Sequence, residues 1–192
     1  MKIQYEKDFA SGKGPDFGDS LHYKGLVIIL ISKNCSSTLA YNRDEFRKSI
    51  NDRPVEKAKA IAFLRNPIFR WKSSMLETLY RNPNKISYIL NNLHQIVFEE
   101  VQTPQYLHIE YIKQYVESFE YYYIDDDGLR KFNTKHKYWD NIPHLNETIK
   151  NSKKLFFLSL LNKFYNDELE KLVRDFYKKD FELIEEVFGE HI

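Results

Sequence analysis

The sequence predicts an α/β fold, a single domain with a central parallel sheet flanked by helices, and three observations carry that reading. Residues 25–31 form a short, continuous, β-branched run with no polar alternation, the pattern of a strand buried on both faces. A second apolar run, residues 60–64, stops at Arg65-Asn66-Pro67 and is followed over residues 68–80 by apolar positions at helical spacing. The plan of strand, polar turn and helix thus occurs twice in succession, which favours parallel strands joined by crossover helices.

The 192 residues suffice for one domain with a substantial core and are too few for two ordinary ones, so residues 1–192 are expected to form one unit. Tyr and Phe number 14 each, which argues for a packed fold and against disorder. Lys and Arg number 29 against 28 Asp and Glu. That balance gives no reason to expect a nucleic-acid wrapper or a binder of anionic membranes, so any anion site must be local. Cys35 is the single cysteine, which excludes an internal disulfide and a cysteine-cage metal site. Residues 1–9 show neither the apolar centre of a signal peptide nor the Arg-rich, acid-poor character of a transit peptide. The longest apolar run, residues 26–31, falls far below the roughly 20 residues of a membrane span. A soluble, cytoplasmic protein is the expectation.

Taken in order, residues 1–24 read as an irregular N-terminal segment, because Gly12, Gly14, Pro15 and Gly18 cluster in its second half. Residues 25–31 are the first strand and residues 32–37 a polar loop; residues 38–50 then suit a helix, with Leu39, Phe46 and Ile50 inward. After the second strand, the helix over residues 68–80 is expected to turn Phe69, Met75, Leu76 and Leu79 inward. Asn82-Pro83-Asn84 breaks the chain before a helical stripe of Ile89, Leu90, Leu93, Ile96 and Val97 in residues 86–98. Residues 121–124 form a third strand ending in Asp125-Asp126-Asp127-Gly128, and residues 133–154, with Pro143 inside, read as a long polar loop of the kind that often carries function. Residues 168–188 suggest closing helices broken near Lys179-Asp180. There is no internal repeat and no low-complexity tract.

Two turns carry the chemistry. Ser32-Lys33-Asn34-Cys35-Ser36-Ser37-Thr38 lies between a buried strand and a helix, where unpaired backbone N–H groups and the helix dipole converge on an anion. Lys33 adds a mobile positive charge, and Ser36, Ser37 and Thr38 add hydroxyl donors suited to nonbridging oxygens. Helix capping alone would explain the hydroxyl residues but not Lys33. The loop lacks the GxxxxGK[ST] form of a Walker A motif, and the Gly-Lys-Gly at residues 12–14 has no strand before it. The second turn, Arg65-Asn66-Pro67-Ile68-Phe69-Arg70-Trp71-Lys72-Ser73, also sits at a strand end, with Pro67 suited to a first helical turn. Arg65 and Ser73, eight residues apart, can close on one anion from the turn and from the helix. Arg70 reads as an ordinary surface or helix-pairing charge.

Together these turns resemble the PAPS-dependent sulfotransferases, in particular the carbohydrate and heparan sulfate O-sulfotransferase-like branch. In that family a strand followed by a Lys-containing, Ser/Thr-rich loop binds the 5′-phosphosulfate, and an Arg-x-Pro-x-x-Arg-x-x-Ser element binds the 3′-phosphate; this chain matches the latter at Arg65, Pro67, Arg70 and Ser73. The resemblance continues at Thr103-Pro104-Gln105, at Ile142-Pro143-His144-Leu145-Asn146-Glu147-Thr148 and at Tyr177-Lys178-Lys179-Asp180-Phe181, and so spans residues 25–181. It implies a P-loop-like sulfotransferase fold and transfer of the sulfuryl group from PAPS to a hydroxyl of a carbohydrate or small-molecule acceptor. By position, Lys33 would contact the bridging oxygen, Asn34, Cys35, Ser36, Ser37 and Thr38 would cradle the phosphosulfate, and Arg65 with Ser73 would hold the 3′-phosphate. On this resemblance PAPS would be the co-substrate and PAP the product, with no metal required.

The chain departs from the family pattern at the general base. Relatives often carry His three residues before the proline of the Pro-Gln pair, where this sequence has Val101. His94 is the candidate base, although its place near an apolar stripe also suits a packed histidine; His144 and Asn146 are candidates to border the donor or acceptor. Asp125, Asp126 and Asp127 admit a magnesium site, and with it a P-loop-type phosphoryl-transfer enzyme as the alternative, though without a Walker A loop a solvated turn is the preferred reading. Cys35 at a helix start admits a thiol enzyme. A catalytically inactive nucleotide-binding protein of the same fold is the third class, and Val101 is its support.

Overall fold

The strand ending at Arg65 is the centre of the fold. β3, Ala58–Arg65, carries Ala60, Ile61, Ala62, Phe63 and Leu64 at 0% exposure, so both of its faces are covered, as its unalternating apolar sequence requires. The computed structural model describes residues 20–23, 26–29, 58–95, 104–113, 116–124 and 152–189. Four strands in the order β1-β2-β3-β4 form one sheet: β1 is Ser20–Tyr23, β2 Leu26–Ile29 and β4 Val116–Ile124. β2 runs parallel to β3, with Ile29 opposite Ala62, and β3 runs parallel to β4, with Arg65 opposite Ile124. The chain is therefore α/β.

The sheet is mixed and not wholly parallel, because β1 pairs antiparallel to β2, Ser20 opposite Ile29. This corrects the reading of residues 1–24 as irregular throughout. Ser20–Tyr23 is too short and polar to announce itself, and it takes its order from pairing with the apolar β2. β4 also begins five residues earlier than the sequence indicates. Glu117 and Ser118 are exposed at the end of the strand order, where a polar side chain costs nothing, so hydrophobicity did not mark them.

Six helices are described. α1 is Pro67–Arg81, followed by a 3₁₀ turn at Pro83–Lys85; α2 is Ile86–Asn91, α3 Gln105–Lys113, α4 Ser152–Phe164, α5 Asp167–Phe176 and α6 Lys178–Phe188. α1 starts where the Asn66 side chain accepts the Ile68 N–H at 2.9 Å and Pro67 supplies a preset φ. It stops where the Asn82 backbone N–H and side-chain amide both donate to the Thr78 carbonyl, at 3.0 and 2.9 Å, ahead of Pro83. Its buried stripe is Ile68, Trp71, Met75 and Leu79, while Phe69 is 39% exposed, against the expectation that it faces inward. That stripe packs on Ile89, Leu90 and Leu93, on Phe157 and Leu161 of α4, and on Leu169 and Val173 of α5. On the sheet, Ala60, Ala62 and Leu64 meet Ile109 of α3 and Ile184 of α6.

Three further boundaries differ from expectation. The polar loop over residues 133–154 ends before Ser152, where α4 begins. The helix expected over residues 86–98 is interrupted at Asn92, whose side chain donates to the Tyr88 carbonyl at 2.7 Å. The closing helices break at Tyr177 and not at Lys179-Asp180, which puts Asp180 in the first turn of α6. The helix expected over residues 38–50 lies outside the described residues, as does most of the long loop. Among the described residues no helix is long and apolar enough to cross a membrane.

Candidate functional site

Ligands of open α/β sheets lie beyond the C-terminal ends of the parallel strands, and here that edge is where β3 delivers Arg65. Arg65 is half-buried, and its peptide group is gripped from the side by Gln105, the first residue of α3. The Arg65 N–H donates to Gln105 Oε1 at 2.9 Å and Gln105 Nε2 donates to the Arg65 carbonyl at 2.8 Å. A carboxamide thus does at the strand end what a neighbouring strand does along it, satisfying one donor and one acceptor at once.

Gln105 is held in turn by Asp180. The Gln105 and Tyr106 backbone N–H groups donate to Asp180 Oδ2 and Oδ1, each at 2.9 Å, and Gln105 Nε2 approaches Oδ2 at 3.4 Å. Asp180 therefore caps the start of α3 with both carboxylate oxygens, where helix amides and the dipole favour a negative charge. The Arg70 guanidinium lies 4.0 Å from Oδ2, and both side chains are 0% exposed. Burial pushes the Asp180 carboxyl above the usual carboxylate range, and the Tyr106 and Gln105 amides and Arg70 pull against it. Its hydrogen-bond partners, the Gln105 and Tyr106 N–H groups and Gln105 Nε2, are all donors, and donors favour the carboxylate form.

Arg70 is thus no surface charge. It shares the buried face of α1 with Pro67 and Ser74, three and four residues away along the helix, and its guanidinium lies 5.9 Å from the centre of the Tyr177 ring. Ser73, also on α1, is half-buried. The first turn of α1 is a poor anion cradle by its amides alone, because Pro67 has no N–H and Asn66 takes that of Ile68. An anion beside Arg65 would depend chiefly on side chains.

His94 is exposed in the helical turn at residues 93–95, which corrects its reading as a packed histidine. His108, on α3, is the buried histidine that sequence reasoning missed. Burial, aided by the charge of Arg70, lowers its pKa to about 4, far beneath the working range of a general base at neutral pH. Unfolded, the imidazole returns to an ordinary value near 6.5. The unfolded chain therefore binds the proton first as pH falls, so the contribution of His108 to stability is present above pH 6.5 and lost down to about pH 4. The difference in unfolding free energy between the wild type and His108→Gln should shrink by about 3 kcal/mol between pH 7 and pH 4. A His108 resonance titrating near 6.5 in the folded protein would refute this.

Lys33, Asn34, Cys35, Ser36, Ser37 and Thr38 lie outside the described residues, as do Asp125, Asp126, Asp127, His144 and Asn146. Among the described residues no group of three or more His, Cys, Asp and Glu is placed to hold a metal ion. The structure thus brings Arg65, Arg70, Gln105 and Asp180 into one buried network and puts Ser73 one turn along from Arg70. Gln105 and Asp180 belong to the Pro-Gln and closing-helix segments, but nothing in their local pattern shows that they meet across 75 residues. No protein-family model, curated protein or solved structure matches the chain.

Proposed function

We propose that the protein is a PAPS-dependent sulfotransferase with a P-loop-like fold, which moves the sulfuryl group to a hydroxyl of a carbohydrate or small-molecule acceptor. The observation that carries this reading is the parallel pairing of β2 and β3. Both strands run toward the same end of the sheet, with Ile29 of β2 opposite Ala62, three residues before Arg65, and Lys33–Thr38 follow β2 in sequence. Two anion-binding turns on adjacent parallel strands suit a donor with phosphates at both its 5′ and 3′ positions.

The donor supplies a sulfuryl group already activated by its link to phosphate. The acceptor hydroxyl releases its proton to water as its oxygen forms a bond to sulfur, the bond from sulfur to the bridging oxygen breaks, and that electron pair leaves on the 5′-phosphate of PAP. Lys33 neutralises the charge gathering there, and the Asn34–Thr38 backbone and hydroxyls hold the nonbridging oxygens. Arg65 and Ser73 fix the 3′-phosphate and so align the donor for in-line attack. No side chain becomes covalently modified, and no metal is needed.

Calorimetric titration with PAP, beside 5′-AMP and ATP with and without magnesium, tests the reading. Binding that requires the 3′-phosphate is expected, with Arg65→Ala weakening it at least about tenfold and Ser73→Ala weakening it in the same direction. A preference for ATP with magnesium would point to phosphoryl transfer instead, and unchanged affinity in both variants would refute the 3′-phosphate assignment.

A further inference from the structure

Arg65 and Ser73 stand on different elements, the end of β3 and the second turn of α1, and a phosphate shared between them requires a fixed span. Two buried side chains join these elements. Gln105 pairs with both the N–H and the carbonyl of Arg65, at 2.9 and 2.8 Å. Asp180 holds the Gln105 N–H at 2.9 Å and faces Arg70 on α1 at 4.0 Å. Arg70 lies one turn before Ser73. A continuous route thus runs from the strand-end arginine through Gln105 and Asp180 to the helix that carries the serine.

Neither Gln105 nor Asp180 is exposed to solvent, and their hydrogen bonds are made to backbone more than to each other. Gln105 aligns the strand end, and Asp180 sits between that end and α1. We propose that Gln105 and Asp180 are positioning residues for the 3′-phosphate, setting the span between Arg65 and Ser73 and thus the preference for a 3′-phosphorylated nucleotide. This rests on the sulfotransferase reading above. α6 thereby governs donor selectivity through Asp180.

The test compares PAP with 5′-AMP on the wild type, Gln105→Leu, Arg65→Ala and the double variant, well below their unfolding temperatures. Gln105→Leu keeps the backbone N–H that Asp180 accepts and removes both bonds to Arg65. It should weaken PAP about tenfold while 5′-AMP changes less than about twofold, and in the Arg65→Ala background it should add nothing, because it acts through Arg65. Equal losses for both nucleotides would mark a merely structural residue and overturn the proposal, as would an unchanged PAP affinity or additive losses in the double variant. If Gln105→Leu does not fold, Asp180→Asn, close in shape, is read by the same PAP to 5′-AMP ratio: a selective loss supports the proposal and a uniform one overturns it. A wild type that does not prefer PAP over 5′-AMP would remove the sulfotransferase reading and this inference with it, an outcome distinct from failure of the variants alone.

Discussion

Asp180→Ala should cost about 3–5 kcal/mol of unfolding free energy. The substitution removes the acceptor of two backbone amides at the start of α3 and leaves Arg70, 0% exposed, without the carboxylate that faces it. Buried donors stripped of their partner keep their full desolvation penalty, and a uniquely placed buried cation adds to it. The midpoint of thermal unfolding should fall by about 10 °C for a chain of this size, with urea unfolding at pH 7 as the equilibrium check. Distance alone would suggest the opposite ranking. Arg81 meets Glu77 at 2.6 Å, far closer than the 4.0 Å between Arg70 and Asp180, yet Arg81 is 73% exposed. Arg81→Ala should therefore change stability by no more than about 1 kcal/mol. A loss below about 1 kcal/mol for Asp180→Ala would mean that the buried network does not hold the fold together.

Under the sulfotransferase mechanism proposed above, Lys33→Ala should lower the rate of sulfuryl transfer by about 100- to 1000-fold while PAP remains bound. In that mechanism the charge that Lys33 would offset develops only as the bond from sulfur to the bridging oxygen breaks, so its removal should weaken the transition state more than the ground state. Transfer of labelled sulfate from PAPS to a carbohydrate hydroxyl measures the rate, and PAP titration measures the binding. A variant that loses binding and rate in equal proportion would place Lys33 in donor affinity and not in leaving-group stabilisation. One that keeps its full rate would take it out of the mechanism.

The sequence revealed the elements whose order comes from apolar burial. β2 was visible because its residues are all apolar, and β3 and α1 because most of their buried positions are apolar and their ends are marked by Arg65-Asn66-Pro67 and Asn82-Pro83. α3 was not. Its buried residues include Gln105, His108 and Ile109, spaced as a helix requires, but two of the three are polar, while Leu107, Ile109 and Tyr111 alternate as a strand would. α4 was hidden for the opposite reason: Leu155, Phe156 and Phe164 are exposed while Phe157 and Leu161 are buried, so apolar residues surround the helix and no stripe stands out. At the candidate site, the position of Arg65 at a strand end and of Ser73 on the following helix was legible from the sequence. The surface alternative for Arg70 failed, because charge usually signals a surface and the helix-borne partner that it faces, Asp180 of α6, lies more than a hundred residues further along the chain.

The cap on α3 also has a consequence in time. Asp180 follows Gln105 by 75 residues, so during synthesis the first amides of α3 leave the ribosome long before their acceptor exists. At ordinary elongation rates the wait is roughly 4 to 15 s, far longer than a helix or a hairpin takes to form. β3 and α1 can meet in that interval, but the junction that fixes the strand-end arginine closes only once α6 arrives. Nascent chains halted before Asp180 should therefore leave the Gln105 and Tyr106 amides open to solvent exchange, and chains released beyond it should protect them.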